Sequence, residues 1–183
     1  MSDLEKLARL IGDRNSVARS IASLIGRPAQ MGYIGEFIAS QVFGIELEES
    51  AARKAIDGHF AGGPLAGLSV DIKWYGRQEG ILDISPSDLP DYYLVLAGPK
   101  SAASSSRGGV RPWTIVSVHL FAASELTDDL RKRGVKVGVA SSVRQVLWQE
   151  AEIYPQQRNC RLVLTPGQRE MLALFAQLDG RTP

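Results

Sequence analysis

Hydrophobic positions in the first 28 residues recur every three or four residues, which is the period of an α-helix. They form two groups, Leu4, Leu7, Leu10 and Ile11, followed by Val17, Ile21, Leu24 and Ile25. The sequence Gly-Asp-Arg-Asn at 12–15 interrupts the pattern, and Ser16 is a suitable N-cap for the second group. We therefore expect N-terminal helices in 1–28, which serve in packing or dimerisation or, alternatively, contact a substrate.

The pattern then stays helical to about residue 54 and afterwards alternates with the period of a β-strand. The predicted elements are helices over 31–43 and 51–54, and strands over 55–60, 68–75 and 92–97. The strand 68–75 has the clearest alternation. Its apolar face carries Leu68, Val70, Ile72 and Trp74, and its polar face carries Ser69, Asp71, Lys73 and Tyr75.

A segment rich in Gly, Ser and Ala over 98–112 precedes a mixed C-terminal half, and its composition predicts a flexible loop. The predicted elements beyond it are strands over 114–121, 135–140 and 160–164, and helices over 125–133, around 146–148 and from Thr165-Pro166 onward. This order predicts one domain, 1–183, of the α/β class on a mixed sheet.

The composition narrows the chemistry that the chain can perform. The 183 residues include 21 Lys+Arg, 20 Asp+Glu, two His and one Cys. These counts exclude an internal disulfide and a Cys-rich zinc site, and they argue against a His-based zinc hydrolase. No apolar run is long enough for a membrane span, and the charged N-terminus does not resemble a signal peptide. We expect a cytoplasmic protein without a membrane partner, and Cys160 as a small buried residue.

Asp71 and Lys73 are the most informative pair, because residues two apart on a strand project from the same face about 6.5 Å apart. A carboxylate beside an ammonium group suits metal-assisted hydrolysis, in which the acid holds a hard cation. Asp57 on the preceding strand and Glu36 on the preceding helix are further candidate ligands. The plainer alternatives are a solvated Asp71–Lys73 pair, a turn acid at Asp57 and a charge at a helix N-terminus for Glu36.

Three sequence blocks, Gly35-Glu36, Ile56-Asp57-Gly58 and Val70-Asp71-Ile72-Lys73, follow one another in this order. They resemble the active-site pattern of the PD-(D/E)xK nuclease superfamily, with Ile56 where the namesake motif has proline. They also resemble a small bacterial group of uncharacterised domains. The resemblance covers about 31–140. It implies a restriction-endonuclease-like core of a helix, a three-stranded meander, a second helix and a further strand. Both termini lie outside the resemblance, and we expect 141–183 to be a C-terminal helical extension.

The resemblance further implies a nuclease that hydrolyses phosphodiesters of nucleic acid, with DNA as the expected substrate. Asp57, Asp71 and Glu36 would bind Mg²⁺ or Mn²⁺, and Lys73 would position the attacking water. The alternative is a catalytically inactive nuclease-like module that binds nucleic acid or a protein partner.

Because the net charge is only +1, nucleic-acid binding requires a local basic cluster. The candidates for this cluster are Lys73, Arg77, Lys100, Arg107 and Arg111, and the loop that carries the last three is alternatively plain surface. Tyr75 is a further candidate contact to a phosphate or a base. Any such cluster should lie away from the acidic turn at 46–49. His59 shares a predicted strand face with Asp57 and contacts substrate or is simply polar surface. A second copy of the chain, in a homodimer, is a further candidate partner.

Overall fold

The computed structural model describes residues 2–48, 56–101 and 112–177. The helices in these ranges are α1 (Asp3–Ile25), α2 (Met31–Phe43), α3 (Ala123–Lys132), α4 (Gln145–Ala151) and α5 (Pro166–Ala173). The strands are β1 (Ile45–Leu47), β2 (Gly58–Phe60), β3 (Ser69–Tyr75), β4 (Ile81–Leu82), β5 (Tyr92–Ala97), β6 (Ser117–Ala122), β7 (Ser141–Ser142) and β8 (Glu152–Tyr154). The predicted helix at 51–54 lies outside the described residues.

The main sheet is mixed, which confirms the predicted α/β class. Its strand order is β1-β2-β3-β5-β6-β8, and every neighbouring pair is antiparallel except β3 and β5, which are parallel. A parallel pair needs a crossover connection. Here the crossover runs through 76–91 and includes β4, which pairs with β7 in a separate two-stranded ribbon.

The predicted three-stranded meander consists of other strands than the sequence indicates. Its third strand, 92–97, exists as β5 but runs parallel to β3, so it cannot belong to a meander. The three consecutive antiparallel strands are β1, β2 and β3, and β1 lies where the sequence predicts only an acidic turn. β1 is three residues long, and the glutamates in and after it conceal its alternation.

The predicted N-terminal helical pair is also wrong, because α1 is one continuous helix of 23 residues. It starts with a capping box between Ser2 and Glu5 and ends at Gly26, which has φ 70° as a helix-terminating glycine requires. The sequence break at 12–15 does not end it, since one interior glycine only weakens a helix. Ser16 bonds its hydroxyl back to the Gly12 carbonyl (3.2 Å) instead of capping a new helix.

Two further predicted strands are absent from the described residues. Residues 135–140 are irregular, with Ala140 at φ 55°, and β8 rather than this segment pairs with the far side of β6. Residues 160–164 alternate as a strand would, with Leu162 and Leu164 buried, but they pair with no strand. The side-chain amide of Gln157 instead bonds the Leu162 carbonyl (3.0 Å) and the Leu164 N–H (3.1 Å).

The two faces of the sheet carry separate apolar clusters, although the alternation of β3 predicts only one apolar face. Val70 and Ile72 belong to the cluster that α2 and α5 cover. Tyr93 and Val95 of the neighbouring β5 belong to the cluster that α3 and α4 cover. Among the described residues no helix is both long and apolar enough to cross a membrane.

Close backbone contacts at two glycines position the blocks singled out in the sequence. A Cβ at Gly35 would lie 3.2 Å from the Trp74 Cβ, so glycine lets α2 approach β3 closely. A Cβ at Gly58 would lie 2.4 Å from the Glu46 carbonyl oxygen of β1. Both glycines therefore set the distance between elements that carry candidate site residues.

We predict that Gly58→Ala destabilises the protein by about 1–3 kcal/mol, because the new methyl group collides with rigid backbone of β1. Gly62→Ala is the matched control, since nothing lies within 4 Å of the position that its new Cβ would take, and it should change stability by less than about 0.5 kcal/mol. Urea unfolding of both variants measures the difference. Equal effects would contradict the packing explanation.

His119 supports a second prediction, because it is buried between β6 and α4. Its Nδ1 lies 2.8 Å from the Trp148 carbonyl oxygen, and its Nε2 lies 3.0 Å from the Ser117 hydroxyl. Burial lowers the pKa of His119 to about 4. Between about pH 6.5 and 4, His119 therefore binds a proton in the unfolded chain but not in the folded chain.

The stabilisation by neutral His119 should thus be complete above about pH 6.5 and be lost between about pH 6.5 and 4, a change of about 3 kcal/mol. His119→Gln retains a donor for the Trp148 carbonyl but does not titrate. The free energy of unfolding of this variant should depend less steeply on pH across that interval. Identical slopes for the two proteins would show that His119 is not responsible.

Candidate functional site

β3 projects Asp71, Lys73 and Tyr75 from one face, as its alternation predicts. Asp71 is only 3% exposed, and its Oδ1 lies 2.7 Å from the Lys73 Nζ. The alternative of a solvated surface pair is therefore wrong for Asp71. The Lys73 side chain stays 26% exposed, so the pair has a buried carboxylate and an ammonium group that solvent can reach.

Asp57 lies at the point where β2 stops pairing with β3. Its backbone N–H donates to the Val70 carbonyl (2.9 Å), and its Oδ2 accepts the Ile72 N–H (2.7 Å). Among the described residues β2 pairs only with the first residues of β3. The Asp57 carboxylate thus satisfies a backbone donor that a longer strand would have satisfied, and it is more than a turn acid.

The Asp57 and Asp71 carboxyl groups interact directly. Burial raises the pKa of Asp71 to about 7, Lys73 opposes this rise, and Asp57 adds to it through its charge and a hydrogen bond. A hydrogen bond between two carboxyl groups requires a proton on one of them. Asp71 therefore binds a proton more readily than an exposed aspartate does, and a cation bound between the two acids would relieve the repulsion between them.

Glu36 approaches the same place from α2 on the other side of β3. Its side chain is 15% exposed and forms an ion pair with Arg27. Burial and the charge of Asp57 raise the pKa of Glu36, whereas Arg27 and Lys73 lower it. Glu36 is thus within electrostatic range of both Asp57 and Lys73, although Arg27 already neutralises it.

Arg27 is the site residue that the sequence reasoning missed. It follows the end of α1, and its guanidinium lies over the Tyr33 ring at 4.4 Å from the centroid. Nothing in the sequence links it to Glu36, nine residues later, because the two lie on different elements. Only the turn between α1 and α2 brings them together.

The capacity of the site for a metal rests on two aspartates rather than three acids. Among the described residues no three or more His, Cys, Asp or Glu side chains are grouped closely enough to hold a metal ion. A Mg²⁺ ion commonly uses one or two protein carboxylates and completes its shell with water and substrate oxygens. The Asp57–Asp71 pair meets that smaller requirement, and the three-acid set stays a prediction.

The predicted nucleic-acid contacts divide into separate locations. The Tyr75 hydroxyl accepts the Asp83 N–H (2.9 Å), so its oxygen is engaged within the crossover. Gln78 pairs with exposed Lys100 as a parallel bridge, which places the neighbouring Arg77 and Lys100 at the same end of β3 and β5. The other two candidates, Arg107 and Arg111, lie outside the described residues.

The acidic segment is not as remote from the site as expected. The Glu48 N–H donates to the Asp57 carbonyl (2.8 Å), so Glu48 adjoins the backbone of a candidate ligand. Its carboxylate lies 3.3 Å from His59 Nδ1, which places His59 beside an acid. Arg77 lies just past the opposite end of β3 from the residues that pair with β2, so the acidic segment is nearer to Asp57 than to Arg77.

A cavity of about 600 Å³ lies apart from these acids, and its lining includes Cys160, Glu125 and Arg161. Cys160 is exposed, so the prediction that it is buried is wrong. The cavity contains none of the four predicted catalytic residues. The chemistry of the candidate site therefore depends on the face of β3 that carries Asp71 and Lys73, where the Lys73 side chain stays partly exposed.

Comparison with protein-family models gave no match, and comparison with curated proteins gave none either. The resemblance of the three sequence blocks to PD-(D/E)xK nucleases thus stays a prediction. What supports a function is the Asp57–Asp71 pair with Lys73 beside it, together with Glu36 within electrostatic range on the other side of β3.

We predict opposite shifts of the Asp71 pKa when its two charged neighbours are changed. Lys73→Met removes a cation and should raise this pKa further, whereas Asp57→Asn removes an anion and should lower it. Carbon-13 NMR titration of the Asp71 carboxyl measures both shifts. Lys136→Met, at an exposed position, is the control and should leave the titration unchanged. Shifts of the same sign would contradict the described contacts.

Proposed function

We propose that this protein is a metal-dependent nuclease that hydrolyses phosphodiester bonds, with DNA as its substrate. The observation that carries the proposal is the carboxyl pair of half-buried Asp57 and buried Asp71, with the Lys73 ammonium 2.7 Å from Asp71. Two acids and a lysine at one strand position suit chemistry in which negative charge develops on phosphoryl oxygens. The sequence blocks around these residues agree with the same reading.

Asp57 and Asp71 would hold a Mg²⁺ or Mn²⁺ ion. Their donor atoms are hard carboxylate oxygens, and a cation would offset the mutual repulsion that helps to raise the pKa of Asp71. When bound, the ion supplies Lewis-acid stabilisation of charge on the phosphate. Glu36 would contribute through a bridging water, since its carboxylate is already paired with Arg27.

Lys73 would hold the attacking water. Its Nζ is anchored by Asp71 on one side, and its partial exposure leaves donors directed at solvent and substrate. A positioned ammonium group orients a water by hydrogen bonding and steadies the negative charge of the transition state. Arg27, beside Glu36, would contact a phosphate of the substrate as a bidentate donor.

The substrate backbone would extend from Lys73 toward the end of β3 and β5 that carries Arg77 and Lys100. The opposite direction leads to Glu48 and Glu46, whose charge repels phosphate. The restriction-endonuclease-like core belongs to this proposal. The mixed sheet, the helix α2 ahead of it and the position of the acids on β2 and β3 support it.

The test is cleavage of plasmid, single-stranded DNA and RNA by purified protein with Mg²⁺, Mn²⁺ or a chelator. We expect metal-dependent cleavage that Asp71→Asn and Lys73→Met each reduce about a hundredfold or more. Asp88→Asn, at an exposed position, is the control and should retain full activity. Cleavage that persists with the chelator, or that both site variants retain, would refute the assignment.

One observation favours a second candidate, a nuclease-like module that binds nucleic acid without cleaving it. Arg27 neutralises Glu36, and the described residues offer no three-acid group. In that case no substrate is cut, but the protein retains salt-sensitive binding to nucleic acid that Asp71→Asn does not weaken. The same purified variants therefore separate the two candidates.

A further inference from the structure

Helix α1 carries an apolar stripe that the rest of the chain leaves uncovered. None of its residues, all of which lie in the described range, is buried. Six large apolar side chains on it are between 47% and 78% exposed, namely Leu4, Leu7, Leu10, Ile11, Val17 and Leu24. Single exposed apolar residues are ordinary, but a continuous stripe along one helix marks an interaction surface.

The stripe has the heptad spacing of a coiled coil. Two lines of residues seven apart form it, Leu4, Ile11, Ala18 and Ile25, and Leu10, Val17 and Leu24. Leu7, Arg14 and Ile21 form a third line between them. The opposite face carries polar residues such as Glu5, Arg9 and Ser16. Such a repeat favours another helix as the partner, because the stripe then stays against it along the whole length.

The stripe is also close to palindromic about Arg14. Reversing the helix about this residue superposes Leu4 on Leu24, Leu7 on Ile21 and Ile11 on Val17. A twofold interface uses the same patch on both subunits and must be complementary to itself. This symmetry of apolar positions fits a second copy of α1 that runs in the opposite direction.

Charge favours the same direction. Asp3 and Glu5 lie in the first turn of α1, and beyond Asp13 its charged residues are the cations Arg14 and Arg19. An antiparallel pair places the acidic end of one helix beside the basic half of the other and opposes the two helix dipoles. A parallel pair would place like charges together.

We propose that α1 pairs with α1 of a second copy of this chain, antiparallel, about a twofold axis at Arg14. The helix needs such a cover, since Gly12 weakens it from within and most helical stability in proteins comes from packing of an apolar face. The contact is confined to one 23-residue helix of each subunit, so we expect the dimer to dissociate on dilution. The two Arg14 side chains meet at the axis and set the register at some cost in affinity.

Light scattering over a concentration series tests the dimer. The wild type should reach twice the 19.9 kDa chain mass. Leu7→Asp combined with Leu10→Asp should raise the dissociation constant about tenfold or more, and Arg14→Leu should lower it. Arg9→Asp combined with Ser16→Asp, on the polar face, is the control for added negative charge and should leave the dissociation constant nearly unchanged. Near-ultraviolet circular dichroism checks that the core of each variant is folded. A wild type that stays monomeric at high concentration overturns the proposal, as does a dimer that the Leu7 and Leu10 substitutions leave intact.

Cross-linking tests the direction, in a Cys160→Ser background that removes the exposed native thiol. Leu4→Cys and Leu24→Cys chains of different tag length are mixed and treated with a short bismaleimide. The antiparallel pair predicts cross-links between the two kinds of chain and almost none within either kind. Cross-links of Leu4→Cys to itself would establish a parallel pair, and dimers that give no cross-link would place α1 against another part of the partner, so either result overturns the proposal.

Discussion

The burial of Asp71 on the central part of the sheet is the constraint on which the candidate site depends. A carboxyl group that is 3% exposed must either find partners or take up a proton. Here it does both. Lys73 supplies an ammonium group two residues along the same strand, and Asp57 supplies a hydrogen bond from the neighbouring strand. Each of these partners is itself held by the sheet. The acid group is therefore tied to the register of β2 and β3, and a slip of one residue would move Asp71 into the opposite apolar cluster.

β2 begins only at Gly58, one residue after Asp57, and this late start makes the arrangement possible. If β2 continued along β3, its backbone would bond the Ile72 N–H and leave the Asp57 side chain to solvent. Because β2 begins only at Gly58, the Asp57 carboxylate accepts the Ile72 N–H in place of a backbone carbonyl. It therefore remains in the plane of the sheet, between its two faces. From there the Asp57 charge raises the pKa of both Asp71 on one face and Glu36 on the other. The close approach of α2 at Gly35 brings Glu36 within this range. The site thus occupies a fork in the sheet where a backbone partner is missing.

Much of the local structure could be predicted from the sequence, and the failures have a common cause. The helix 31–43 and the strands at β3 and β5 agree with the prediction because a long apolar period is a strong local signal. Residues 135–140 and 160–164 have equally suitable local patterns, but strands need neighbours. β8 takes the position beside β6, and the Gln157 amide occupies the backbone groups of the second segment. The break predicted at 12–15 is wrong for the converse reason, since a helix tolerates one weak turn when its caps and flanks are strong.

By itself, the sequence determined that Asp71 and Lys73 share one face of a strand, that hard oxygen ligands are the ones available, and that α1 has an apolar stripe. These properties follow from residue type and from periods of 2 and 3.6, which are local. The tertiary structure decided that β5 runs parallel to β3, that Asp57 meets Asp71, and that Arg27 pairs with Glu36. Those outcomes depend on which distant segments compete for the same backbone donors and the same buried space, and no local period contains that information.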